Sequence, residues 1–72
     1  MSEEIENTLK SHYGVTECVI DHLSDQNTIE VYCVGGNVDY IKIALAQLCN
    51  VDDDCVTVVT NNGDRVLFVV KL

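Results

Sequence analysis

The stretch from Asp54 to Leu72, D-C-V-T-V-V-T-N-N-G-D-R-V-L-F-V-V-K-L, constrains the fold of this chain more than any other. Two runs rich in β-branched residues flank Asn61-Asn62-Gly63-Asp64, and Asn-Gly between apolar strands is the strongest short-range signal for a β-hairpin. The turn decides which side chains share a face, because a slip of one residue moves every side chain to the other side of the sheet. A two-residue turn at Asn62-Gly63 pairs Val59 with Val66 and sets Phe68 opposite Thr57. A three-residue loop, Asn61 to Gly63 with Gly63 left-handed in a bulge, pairs Val58 with Val66 and Val56 with Phe68. The second register is expected, since it gathers Val56, Val58, Val66, Phe68, Val70 and Leu72 on one apolar face. Leu67 and Val69 then point the other way, which a sheet covered on one side does not require.

An isolated hairpin is marginal in water, so this one needs the rest of the chain as a cover. Ser2 can cap a helix starting at Glu3, with Glu3, Glu4 and Glu6 where negative charge suits the helix dipole. Ile5, Leu9, His12 and Tyr13 recur at helical spacing, and Gly14 is the stop. Val15 to Leu23 and Thr28 to Val34 read as strands joined by the polar turn Ser24-Asp25-Gln26-Asn27. A four-residue loop places Leu23 opposite Thr28, Ile20 opposite Val31 and Cys18 opposite Cys33, with Ile29 on the core side.

The same register faces Asp21 with Glu30 on the outer side, among Glu17, Val19, Tyr32 and Val34. Like charges directly opposite destabilise a strand pair by up to about 1 kcal/mol. Either the register differs, or the acidity of this face serves a partner. Gly35-Gly36 then breaks the strand, and Asn37 caps a helix that runs to about Cys49. Ile41, Ala44, Leu45 and Leu48 form its inner side with Val38 at the edge, while Asp39, Lys42, Ala46 and Asn50 mark the opposite stripe. Tyr40 and Ile43, at or near that stripe, are candidates for contact with another chain.

The predicted order is therefore α-β-β-α-β-β, an α+β fold with a four-stranded antiparallel sheet and both helices packed on one face. The last strand, apolar on both faces, belongs in the middle, which gives the strand order first, second, fourth, third. At 72 residues the chain makes a single domain, residues 1–72. A domain this small buries only about 60–65% of its unfolded surface, so it folds alone on a thin margin or on dimerising.

Twelve acidic against four basic residues give a net charge of −8. That charge repels nucleic acid and anionic membranes and favours a partner with a basic surface; solubility alone is the other explanation. No apolar run reaches the ~20 residues of a membrane span. Met1-Ser2-Glu3-Glu4 is acidic where a signal peptide is basic. A soluble cytoplasmic protein is expected, and the Met1 start reads as a complete small protein rather than a fragment. The cysteines Cys18, Cys33, Cys49 and Cys55 are then expected as free thiols, Cys18–Cys33 being the pair that oxidation would join.

No motif names a reaction. Asp52-Asp53-Asp54 lacks the alternation and the glycine of a calcium loop and reads as a solvated turn. Cys18 and His22 suggest zinc by type, but residues four apart on a strand stand ~13 Å from each other, and no metal site is expected. His12 and His22 are the only imidazoles. Neither has a nucleophile with an orienting group behind it in the sequence, and Gly35-Gly36 lacks the lysine of a phosphate loop. The chain is expected to be no enzyme and to take no cofactor.

What remains is the outer sheet face. With the fourth strand beside the second, Tyr32 and Val34 adjoin Leu67 and Val69 in an apolar centre, with Val19 at its side and Glu17, Asp21, Asp25 and Glu30 at its rim. Interfaces share this anatomy of apolar core and polar rim. The expected function is a small acidic protein-binding inhibitor that occupies a basic surface made for nucleic acid, by occupancy or charge mimicry. Small acidic phage anti-restriction and anti-CRISPR proteins work this way; the likeness is one of size and charge alone. The alternative is a homodimeric structural or adaptor module whose acidity serves only solubility.

Overall fold

The second helix starts and stops where its side chains satisfy its free backbone groups. Asn37 accepts a hydrogen bond from the Tyr40 N–H at 3.2 Å, as an N-cap should. At the other end Asn50 turns left-handed (φ 57°), Asn50 N–H donates to the Gln47 carbonyl and Val51 N–H to that of Ala46. This is the Schellman pattern, which reverses the chain sharply.

The computed structural model describes residues 2–72; the expectation read from the Met1 start lies partly outside them. Its elements are α1 (Ser2–His12), β1 (Val15–Leu23), β2 (Thr28–Gly35), α2 (Val38–Cys49), a 3-10 turn (Asp53–Cys55), β3 (Val56–Asn62) and β4 (Arg65–Lys71). The sheet is antiparallel throughout, in the order β1-β2-β4-β3, with both helices on one side. Central β4 is the strand that carries apolar residues on both faces, as expected. Phe68, Val70 and Val31 meet Ile5 and Leu9 of α1 and Ile41 and Leu45 of α2 in the core. Neither helix is long and apolar enough to cross a membrane.

The first hairpin has the expected register. Leu23 pairs with Thr28, Asp21 with Glu30, Ile20 with Val31 and Cys18 with Cys33. The opposition of Asp21 and Glu30 is therefore a real feature of the sheet.

The second hairpin has neither register read from its sequence. The loop is Gly63-Asp64, closed by the Asn62–Arg65 pair, and an extra residue in β3, Val59, makes a bulge. Beyond it Val58 pairs with Phe68 and Val56 with Val70, so the expected pairs Val58–Val66 and Val56–Phe68 do not form. Gly63 has positive φ (67°) and Asp64 does not, the arrangement of a two-residue turn with glycine first. A plain ladder from that turn would turn Val56 and Val58 to solvent. The bulge shifts the register by one and returns both to the core side, at the expense of Val59, which is 52% exposed. The expected apolar face survives by a different route, except for Leu72, which is exposed. Leu72 is tied by its backbone to Asn27, through N–H to carbonyl at 2.9 Å and Asn27 Nδ2 to the Leu72 carbonyl at 3.1 Å.

Two further residues depart from expectation. Ala46, expected on the outer stripe of α2, is buried, because the reversal at Asn50 and Val51 brings the chain back against that turn of helix. His12 shares the spacing of Ile5 and Leu9 yet is exposed, at the end of α1 where the helix leaves the core.

Candidate protein interface

Both helices pack on one side, so the other side of the sheet is left open. Registers across the four strands place its side chains in rows. The middle row is Val19, Tyr32, Leu67 and Thr60; one step along lie Asp21, Glu30, Val69 and Thr57; one step the other way lie Glu17, Val34, Arg65 and Asn62. Val19 is 63% exposed, while Tyr32, Val34, Leu67 and Val69 are half-buried by their neighbours within the sheet.

The sheet thus brings together eight of the nine residues singled out from the sequence: Glu17, Val19, Asp21, Glu30, Tyr32, Val34, Leu67 and Val69. Asp25 stands apart, in the turn between β1 and β2 at the end of the sheet. The neighbours also differ in detail from expectation. Tyr32 does lie opposite Leu67, but Val69 lies opposite Glu30, and Val34 lies opposite Arg65.

Arg65 and Lys71 also belong to this face, although sequence reasoning did not single them out. They alternate with Leu67 and Val69 along β4, so the same period that turns those two outward turns these outward as well. Lys71 lies opposite Thr28, beyond Glu30. The open face therefore carries its acids, Glu17, Asp21 and Glu30, on β1 and β2, and its bases on β4. It is divided by charge rather than uniformly acidic.

Most of the net charge of −8 sits elsewhere. Strand directions put the β1–β2 turn and the Asp53–Cys55 turn at one end of the sheet. Asp25, Asp52, Asp53 and Asp54 accordingly lie at that end. On α1, Lys10 Nζ lies 2.9 Å from Glu6 Oε2, and this hydrogen bond and charge raise the Lys10 pKa above its ordinary value. Such an exposed pair one helical turn apart is a surface feature.

Among the described residues no cavity forms, and no three His, Cys, Asp or Glu side chains gather as metal ligands would. His12 and His22 are both exposed and lie on separate elements, α1 and β1. The open, apolar-centred, charge-divided face is thus the candidate site. No protein-family model matches the chain, and no curated protein or solved structure is significantly similar to it.

Proposed function

We propose that this chain is a small non-enzymatic binding protein that docks its open sheet face on a partner protein in the cytoplasm. The partner surface is apolar at its centre and basic along the edge that meets β1 and β2. Surfaces of that charge are commonly made for nucleic acid, and the protein then acts as an inhibitor by occupying one, in the manner of small acidic anti-restriction and anti-CRISPR proteins of phages. The observation that carries this reading is the uncovered row Val19–Tyr32–Leu67 beside the opposed Asp21–Glu30 pair. An unfavourable charge pair kept next to exposed apolar surface is the kind of local conflict that binding sites retain. The remaining acids contribute a long-range negative field that speeds encounter with a basic partner.

A homodimer is the second reading, and the division of charge favours it. A two-fold axis along the strands, between β2 and β4, would lay β2 of one copy over β4 of the other, which sets Arg65 one strand away from Glu17 and Lys71 two residues beyond Glu30 along the strand.

Sedimentation over a range of concentrations, together with affinity capture by the wild type and by Tyr32→Asp, separates these readings. Inhibition by occupancy requires a monomer that captures a nucleic-acid-handling complex, more weakly in high salt, with capture lost in Tyr32→Asp. A tight dimer indifferent to such complexes would sink it in favour of self-association. Identical capture by the wild type and a folded Tyr32→Asp would remove the open face from consideration.

A further inference from the structure

The hydrogen-bonding directions along β2 settle the geometry of one cysteine pair. Gly35 donates its N–H to the Asp64 carbonyl at 2.7 Å, on the β4 side. The Val34 carbonyl accepts from Thr16 Oγ1 at 3.2 Å, on the β1 side. Backbone groups of successive strand residues alternate in direction. Cys33, two residues before Gly35, therefore turns its backbone to β4, and Cys18–Cys33 is a non-hydrogen-bonded pair of the β1–β2 ladder. In such pairs the Cα atoms approach to about 4.5 Å and the side chains are closest. That separation lies at the near end of the range a disulfide spans, about 4.4–6.8 Å.

We propose that Cys18 and Cys33 form a redox site, a cross-strand dithiol that closes reversibly by exchange with a small-molecule disulfide of the oxidised-glutathione type. Both are free thiols in the reduced chain. Cys18 is half-exposed on the edge strand, whereas Cys33 is fully buried, so the oxidant meets Cys18 first. The neighbouring Cys33 thiol holds the Cys18 pKa below the ordinary thiol value. The proximity of Cys18, together with burial, pushes that of Cys33 up.

Cys18 Sγ, as thiolate, attacks one sulfur of the oxidant; the oxidant's S–S bond breaks and its second half leaves as a thiolate that takes up a proton. Cys33 then gives up its proton, attacks Cys18 Sγ and displaces the first half as a second small thiol. Two protein thiols are oxidised, one small disulfide is reduced to two thiols, and both protons are accounted for. The new bond ties edge strand β1 to β2 on the core side of the sheet, behind the Val19–Tyr32 pair. This inference does not rest on the proposed docking function.

The test equilibrates the full chain in glutathione buffers of increasing oxidation, quenches with an alkylating agent and reads intact mass and linked peptides. The expected result under oxidising conditions is two alkylated thiols of the four, a Cys18–Cys33 peptide, no retained glutathione, and full reversal by reductant. Cys33→Ala should instead retain one glutathione on Cys18, and Cys18→Ser should leave Cys33 unmodified. Four alkylated thiols at every ratio, or a Cys49–Cys55 link in place of Cys18–Cys33, would overturn the site. Glutathione on Cys33 in folded Cys18→Ser would overturn the order of attack. Wild type and Cys18→Ser decide the matter even where Cys33→Ala fails to fold.

Discussion

Replacing Asp21 by lysine should stabilise this protein, an unusual outcome for a charge reversal at a strand position. Asp21 lies directly opposite Glu30, and the other neighbour of Glu30 in that row is Val69, so no base in the row offsets the repulsion. Cross-strand charge pairs change stability by about 0.2–1 kcal/mol in either direction. Reversal removes a repulsion and installs an attraction, so the expected gain is about 1 kcal/mol. For a domain of this size that is ~4–8 °C in melting temperature. Asp21→Asn, which only removes the repulsion, should give about half of the gain.

The chain has no tryptophan, so urea unfolding is best followed by far-ultraviolet circular dichroism. Lowering the net negative charge also relieves general self-repulsion, and Asp53→Lys controls for this because it changes the net charge equally from an exposed turn. It should shift stability by no more than about 0.5 kcal/mol. Combining Asp21→Lys with Glu30→Lys restores a like-charged pair, so the double variant should fall about 1 kcal/mol or more short of the sum of the singles. Equal gains from Asp21→Lys and Asp53→Lys, or additivity in the double variant, would refute the pairwise reasoning. On the docking reading, Asp21→Lys should also weaken partner binding while it strengthens the fold.

Gly36→Ala should destabilise the chain far more than Gly63→Ala, as thermal unfolding of the two variants would show. Both glycines have positive φ, but a Cβ at Gly36 would lie 2.6 Å from the Tyr13 carbonyl oxygen and 2.8 Å from Ile41 Cδ1, whereas one at Gly63 meets nothing within 4 Å. Gly63→Ala should therefore cost only the left-handed backbone, about 1–2 kcal/mol. Burial raises the Cys49 pKa, so its contribution is fully present below the unfolded thiol value of ~8.5 and is lost as pH rises from there through the folded value. From about pH 8.5 upward, stability should fall with a slope of at most ~1.4 kcal/mol per pH unit from this thiol until its folded value is passed. Cys49→Ala should flatten that slope in urea titrations; parallel curves for the two proteins would contradict the assignment.

The element order, the inner faces of both helices apart from His12 and Ala46, and the register of the first hairpin were legible in the sequence because each rests on local periodicity and turn chemistry. Asn37 caps its helix through its own side chain, and the four-residue turn fixes the β1–β2 pairing within the hairpin. The central place of β4 was legible too, since only a strand covered on both edges and packed on one face repays Val66, Phe68 and Val70 inward with Leu67 and Val69 outward. Most of the candidate interface could be named for the same reason. Its acids, Tyr32 and the β4 valine and leucine follow from a period of two.

Tertiary structure alone decided three things. It chose the Gly63-Asp64 turn with a bulge at Val59, because the sheet accepts an extra residue to keep Val56 and Val58 in the core, a trade no local propensity expresses. It buried Ala46 by returning the chain over α2 after Asn50. And it set Arg65 and Lys71 beside the acids of β1 and β2: outward direction is a property of one strand, but which strands become neighbours, and so whether charges confront or complement each other, depends on pairing between distant segments. The sequence by itself determined that this chain has an open, apolar-centred face; only the packed sheet decided how charge is divided across it.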